Sequence, residues 1–322
     1  MVSSLYLMPT TACNCACTYC YCREKTRVGG FDHFVRIADS FTEHVLGSGM
    51  EERPQIRFTG GEPWLAGELL LAVAERFLGR TSNGWVVVNT NGTIIPGNGL
   101  ETFRGNSRLI HVVSLDGPGH LHDSRRRTVD GRGTFQRVVM GVKTLQELGL
   151  PVCLNAVLDH ESSRHLPGLM RFVVDELGIR ELSLSLLYRE TFPNPWKQRF
   201  ELLRSAYAEA ANHGIRLGGH HRLLLGPWIP ELRCMAGITT AVVDPEGGVY
   251  RCQRLVGRVD PDTVWNDGFD WAGFRSPGGN CGVCGDADDI SIGVKLYEMY
   301  QEEHPGYLDC HPLDRILFGV IP

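Results

Sequence analysis

The chain has 322 residues, 43% of them hydrophobic and 21% charged, with a formal net charge of −5. This is ordinary globular composition, enough for one large domain or a large and a small one, and it gives nucleic acid no strongly basic surface to bind. No run approaches about 18 uninterrupted apolar residues, which excludes a membrane-spanning helix, and the opening MVSSLYLMPTTAC lacks the charged region and long apolar core of a secretion signal.

Short β-rich runs alternate with helical patterns over the first two-thirds. Residues 5–10 (LYLMPT) read as a first strand, and 31–47 as a helix with apolar Phe31, Phe34, Ile37, Phe41 and Val45 at helical spacing. A strand at QIRF runs into the turn TGGEP, followed by a helix over 64–79. The continuous apolar run in GWVVVNTNG (84–92) predicts a buried strand. RLIHVVSLDGPG (108–119) is the next strand and turn, and 133–149 an amphipathic helix ending at Gly149. PVCLNAVLD is the fifth strand with its helix at 164–178; RELSLSLLYRE is the sixth, with a last helix at 196–214. Six βα units in series predict a parallel sheet with right-handed crossovers, better suited to an open (β/α)6 barrel than to a closed eightfold one. Function is then expected at the C-terminal ends of the strands.

Beyond Gly214 the pattern changes. Residues 214–232 read as a Gly/Pro-rich linker, 239–252 (TTAVVDPEGGVYRC) as a β-hairpin, and 276–289 as irregular and glycine-rich. The division expected is a barrel over 1–215 and a small hairpin-containing domain over 216–322. So little core with several cysteines needs a staple.

The absence of a signal makes a reducing cytoplasm the expected location, where an odd count of eleven cysteines argues for metal or redox chemistry over disulfides. Cys13, Cys17 and Cys20 follow C-x3-C-x2-C directly after the first strand. Three thiolates can hold three irons of a [4Fe–4S] cube and leave the fourth open; zinc usually takes four protein ligands, which Cys15 or Cys22 could complete, so counting alone leaves both open. Cys234, Cys252 and the C-x2-C pair Cys281 and Cys284 form a second set, with zinc ribbon and iron–sulfur again both open. The run SRRRTVDGR (124–132) reads equally as a solvated loop or as a site for a carboxylate or phosphate.

With its neighbours, the first cysteine set resembles the radical SAM superfamily. C-x3-C-x-aromatic-C carries Tyr19 in the aromatic slot; Gly60-Gly61-Glu62-Pro63 follows strand two; Asn89 and Asn91 follow strand three; Ser114-Leu115-Asp116-Gly117 follows strand four. The block after Ser114 is similar to members with a C-terminal SPASM or twitch extension, and the resemblance spans about residues 5 to 215. It implies a partial (β/α)6 TIM-like barrel, with Cys13, Cys17 and Cys20 holding a [4Fe–4S] cluster whose open iron is chelated by S-adenosylmethionine (SAM). It implies further that Gly60, Gly61 and Glu62 accept from the SAM amino group, and that Ser114, Asp116, Asn89 and Arg125 lie along its ribose and carboxylate. The ordinary readings beside these are a plain βα turn for the glycines and a turn or cap for Asp116. For the tail it implies one auxiliary [4Fe–4S] cluster on Cys234, Cys252, Cys281 and Cys284. Cys15 and Cys22 read as small loop residues, and Cys310 as a spare thiol, a substituted ligand or a hydrogen donor near the site.

The chemistry implied is reductive cleavage of SAM to a 5′-deoxyadenosyl radical that takes hydrogen from a substrate. A ribosomal peptide or protein side chain is favoured over a small aminocyclitol- or sugar-like molecule; a non-catalytic iron–sulfur sensor is the reading of another class. Implied partners are an electron donor such as flavodoxin or ferredoxin and a peptide-delivery protein. Sulfatase-maturating members carry an acid directly after the G-x4-C cysteine; this chain has Gln253, which makes that activity doubtful. Tyr188 and Glu190, with Asp159, are candidate acid/base groups at strand ends, each more often structural; His120, His122, His220 and His221 carry the same reservation.

Overall fold

A computed structural model describes residues 1–22, 24–49, 53–187, 195–219 and 239–274. In chain order the elements are β1 (Ser4–Leu7), α1 (Phe31–Gly47), β2 (Gln55–Phe58), α2 (Gly67–Arg80), β3 (Trp85–Thr90), β4 (Leu109–Ser114), α3 (His120–Arg125), α4 (Phe135–Glu147), β5 (Val152–Leu158), α5 (Leu166–Asp175), β6 (Glu181–Leu186), α6 (Pro195–Asn212), β7 (Arg216–Gly219), β8 (Thr240–Val243), β9 (Gly248–Tyr250) and β10 (Thr263–Val264). The chain divides into two compact units: residues 1–114, 126–152 and 235–279 form the first; 115–125, 153–234 and 280–322 form the second.

In the first unit the strands run in the order β10-β9-β8-β1-β2-β3-β4. β1, β2, β3 and β4 are parallel neighbours, as the βα alternation predicts. β1 stops at Leu7 rather than running to Thr10, because Pro9 has no N–H to give a ladder. Its helices cover the sheet through one apolar face each. On α1 that face is Phe34, Ile37, Phe41 and Val45, all buried; Phe31, which the spacing also placed there, stands 47% exposed. Each fully buried side chain of this kind contributes about 1.5–3 kcal/mol. Across α1 and α2 the outer faces are tied by Arg76–Asp39 and Arg80–Glu43 ion pairs, which at such exposure add little. The helix expected from residue 64 begins as a tight 3-10 turn over Pro63–Ala66, and the α-helix proper starts at Gly67.

The hairpin is present: β8 and β9 pair antiparallel around a turn whose Gly247 has φ +86°. β8 lies parallel to β1, with Ser4 opposite Thr240 and Leu7 opposite Val243. The described part of the tail therefore belongs with the first four strands. Asp244 fixes the turn by accepting from the amides of Glu246 and Gly248 and from the Tyr250 hydroxyl, and it faces Arg27 at 3.5 Å.

In the second unit β5, β6 and β7 are parallel. β7 lies in the stretch read as linker: its glycines hid a short extended run. Asp159 caps the turn after β5 in a capping box with Ser162. Among the described residues no helix is long and apolar enough to cross a membrane.

Candidate active site

The first unit gathers the cysteine loop at the C-terminal ends of β1, β2 and β3. Two backbone bonds clamp it to the turn after β2: Gly61 N donates to Thr10 O at 2.9 Å, and Glu62 N to Ala12 O at 2.8 Å. The glycines are required by this contact. A Cβ on Gly60, at φ +118°, would sit 2.4 Å from Thr10 O; one on Gly61 would sit 1.9 Å from Ala12 O. The glycine pair thus makes room for the cysteine loop itself.

Glu62 is fully buried. Its Oε1 accepts from Trp64 N at 3.1 Å and Thr90 Oγ1 at 2.7 Å, and its Oε2 accepts from Asn91 N at 2.7 Å. Burial pushes its carboxyl up to about 7 against these donors. The carboxylate so held orients Asn91, whose Nδ2 donates to Asn14 Oδ1 at 2.8 Å and approaches Cys13 Sγ at 3.8 Å. Asn91 Oδ1 accepts from the Thr93 amide and hydroxyl, and Asn14 Nδ2 donates to the same hydroxyl.

The arginine run is divided: Arg126 and Thr128 are buried, whereas Ser124, Arg127 and Arg132 are exposed. Residues 126–134 fold back on themselves through an Arg127–Gly133 bridge, with Gly131 at φ +83° in the turn. This loop lies along the cysteine loop: Cys15 bridges Thr128, Ala16 N donates to Arg127 O at 2.8 Å, and Val129 N to Asn14 O at 3.2 Å. Arg126, only 8% exposed, brings Nη1 to 3.9 Å from Cys17 Sγ and lays its guanidinium over the Tyr19 ring at 5.2 Å. Sequence reading chose Arg125 and missed Arg126.

None of the three cysteines of C-x3-C-x2-C is in a disulfide. Cys13 Sγ accepts from the Cys15 amide at 3.4 Å. Its thiol is lowered to about 6, chiefly by a hydrogen bond from Cys15, against burial; the Cys15 thiol is raised by the same bond. N–H donors aimed at Cys13 and Cys17 favour thiolates, the form that ligates iron. Among the described residues no group of three Cys, His, Asp or Glu side chains is placed as a single metal ion would need. Three cysteines on one loop, with N–H donors at Cys13 and Cys17, have the donor chemistry that the thiolate corners of a [4Fe–4S] cluster require. Cys15 is 1% exposed and packed in the loop, and Cys22 Sγ lies near Thr11 O and Glu24 O.

Asn89, half-buried, is the penultimate residue of β3 and lies opposite Val112 of β4, and half-buried Ser114 ends β4. The Thr59 hydroxyl donates to Gln253 Oε1 at 2.9 Å, so the residue after Cys252 reaches the end of β2.

In the second unit, Asp116 is 6% exposed; its Oδ1 accepts from Val157 N at 2.9 Å, and its own amide meets His122 Nδ1 at 3.3 Å. Arg125 donates to Val157 O and pairs with Asp159 at 2.8 Å, both side chains largely covered. Asp116, Arg125, His122 and Asp159 therefore all have roles in binding the 115–125 segment to the end of β5. His120 is exposed. Tyr188, Glu190, His220, His221, Cys234, Cys281, Cys284 and Cys310 lie outside the described residues.

Comparison with known proteins agrees with this geometry. The radical SAM superfamily profile matches residues 7–173. A cysteine-type anaerobic sulfatase-maturating enzyme of Clostridium novyi is 24% identical over 280 residues, covering 79% of this chain and 74% of the relative. A serine-type enzyme of Klebsiella aerogenes is 26% identical over 296 residues, covering 79% and 68%; a serine-type enzyme of Bacteroides thetaiotaomicron matches over only 37% of its own length. The solved structure of anSMEcpe with bound AdoMet superposes with a TM-score of 0.69 at 18% identity, covering 98% of both chains. That of Streptococcus suis SuiB bound to precursor peptide SuiA gives 0.64 at 17%, covering 90% and 70%. These likenesses show the α/β partial-barrel fold. The chain belongs to the radical SAM superfamily, whose enzymes use a [4Fe–4S] cluster and SAM.

Proposed function

We propose that this enzyme holds its SAM-binding cluster on Cys13, Cys17 and Cys20 and removes hydrogen from a side chain of a ribosomally made peptide or protein, leaving an oxidised residue or a cross-link. The observation that carries the site is the clamp of the cysteine loop onto the glycine turn, with N–H donors trained on Cys13 and Cys17. When bound, the cluster and SAM supply the one-electron cleavage that generates the hydrogen-abstracting radical. The chain's own contribution is positional. Glu62 fixes Asn91, Asn91 fixes the loop, and the 126–134 loop covers one side of it.

The peptide reading draws on the relatives: two sulfatase-maturating enzymes and a structure holding a precursor peptide. Within it, Gln253 separates this chain from sulfatase maturation. An amide hydrogen-bonded to Thr59 does not take a proton at neutral pH. The substrate's proton must leave by another group, or the product radical must couple without losing one. Residues 216–322 are proposed to carry an auxiliary cluster on Cys234, Cys252, Cys281 and Cys284. Tyr19, Gly60, Gly61, Glu62, Asn89, Ser114, Asp116 and Arg125 are proposed SAM contacts on the strength of the family resemblance.

The test is coexpression with each short peptide encoded beside the gene, followed by mass spectrometry of the peptide. Loss of hydrogen mass that disappears with Cys17→Ala supports the reading. A small molecule dehydrogenated by the purified enzyme, with every peptide unchanged, refutes it.

A further inference from the structure

Arg126 is a buried cation whose backbone and side chain serve different contacts. Its carbonyl accepts from the Thr134 hydroxyl at 2.9 Å, and the neighbouring Arg127 carbonyl accepts from Ala16 N. The Arg126 side chain is brought in from solvent, to 8% exposure, and aimed at Cys17 Sγ while stacked on Tyr19. The Tyr19 face and the loop pairing hold it in one orientation. Desolvating an arginine is costly unless it meets negative charge, and a thiolate at Cys17 is such a charge within 3.9 Å of Nη1.

We propose that Arg126 is a positioning residue that sets the reduction potential of the cluster on Cys13, Cys17 and Cys20. The inference rests on the cluster reading above. Reduction takes one electron from an external one-electron donor, breaks no bond, and makes the cluster and its thiolates more negative by one charge. An N–H donor carrying a full positive charge beside a ligand sulfur stabilises the reduced state more than the oxidised one. Arg126 thus raises the potential and makes the cluster easier to charge. The three amide and side-chain donors near Cys13 and Cys17 differ in this respect: those from Cys15 and Asn91 are neutral, and Arg126 alone among them brings net charge.

The experiment is a dithionite titration of anaerobically reconstituted full-length protein, followed by EPR, for wild type, Arg126→Met and Arg126→Lys. Iron and acid-labile sulfide per chain are counted on the same samples. With iron unchanged, Arg126→Met is expected to shift the reduction equilibrium at least tenfold toward the oxidised cluster, a midpoint lower by about 59 mV for one electron. Arg126→Lys keeps the charge without the planar stack and is expected to shift by less. Equal midpoints in all three proteins, or a higher midpoint in Arg126→Met, would overturn the proposal. If Arg126→Met loses its iron, Arg126→Gln takes its place as the neutral variant, and loss of iron from both neutral variants overturns the proposal by making Arg126 necessary to hold the cluster. Failure of the cluster reading is separately visible: Cys17→Ala would then carry as much iron as wild type and show the same EPR signal.

Discussion

Replacing Gly61 by alanine tests whether the glycine turn exists to seat the cysteine loop. The new Cβ would lie 1.9 Å from Ala12 O, 2.5 Å from Ala12 C and 2.5 Å from Thr11 O, where ordinary contact begins at 3.4 Å. All three are backbone atoms, so no side chain can rotate away. The loop must retreat by about 1.5 Å, and the bonds Gly61 N–Thr10 O and Glu62 N–Ala12 O go with it. Overpacking costs about 1–3 kcal/mol, and each lost bond about 1 kcal/mol. The expected loss is about 3–5 kcal/mol, or about 4–7 °C in Tm for a chain of 322 residues. Anaerobic calorimetry measures it, with iron per chain alongside. Gly79→Ala is the control: its Cβ meets nothing within 4 Å on α2, and it should gain up to about 1 kcal/mol. A Gly61→Ala protein that melts within about 2 °C of wild type and keeps its iron would refute the reasoning.

His111 gives a pH signature. Its ring is fully buried and stacked on Trp64 at 5.7 Å, with neither nitrogen hydrogen-bonded, and burial lowers it to about 3. Between its unfolded value near 6.5 and about 3, the unfolded chain binds the proton and the folded one does not, so stability falls as pH falls through that window, by about 2 kcal/mol at pH 5. His111→Phe keeps the stack, and its unfolding free energy minus that of wild type should grow by about 1.4 kcal/mol per pH unit below 6.5; a difference flat with pH in urea melts would contradict this. Cys13→Ala is expected to lose one cluster's iron while Cys15→Ala keeps it, and equal iron in the two would remove Cys13 from the ligand set. Asn91→Ala loses its bonds to Asn14 and Thr93 and its donor to Cys13, at about 1 kcal/mol each. Its iron should be stripped several-fold faster by a chelator, and an unchanged stripping rate would count against the network.

Much of this architecture was legible in the chain. The alternation of apolar runs with helical spacing placed β1 through β6 because each buries a face of its own. The cysteine spacing and the glycine turn stood out because chemistry and close approach restrict which residues fit. What was not legible depends on partners distant in sequence. A four-residue strand such as TAVV can join any sheet; only the fold shows that it lies beside β1. The glycines of β7 masked a strand that β6 recruits. The choice between Arg125 and Arg126 turned on one residue of helix: Arg125 is the last residue of α3 and turns to Asp159, while Arg126 begins the loop that meets Cys17.

The central claim, a radical enzyme whose cluster sits on Cys13, Cys17 and Cys20, is tested most directly by one assay on anaerobically reconstituted protein. Iron per chain is counted, and SAM and dithionite are then added and 5′-deoxyadenosine is measured, with Cys17→Ala in parallel. The account predicts iron–sulfur absorption and 5′-deoxyadenosine from wild type, with the nucleoside absent from the variant. Zinc in place of iron, or a fully iron-loaded protein that leaves SAM intact, would contradict it.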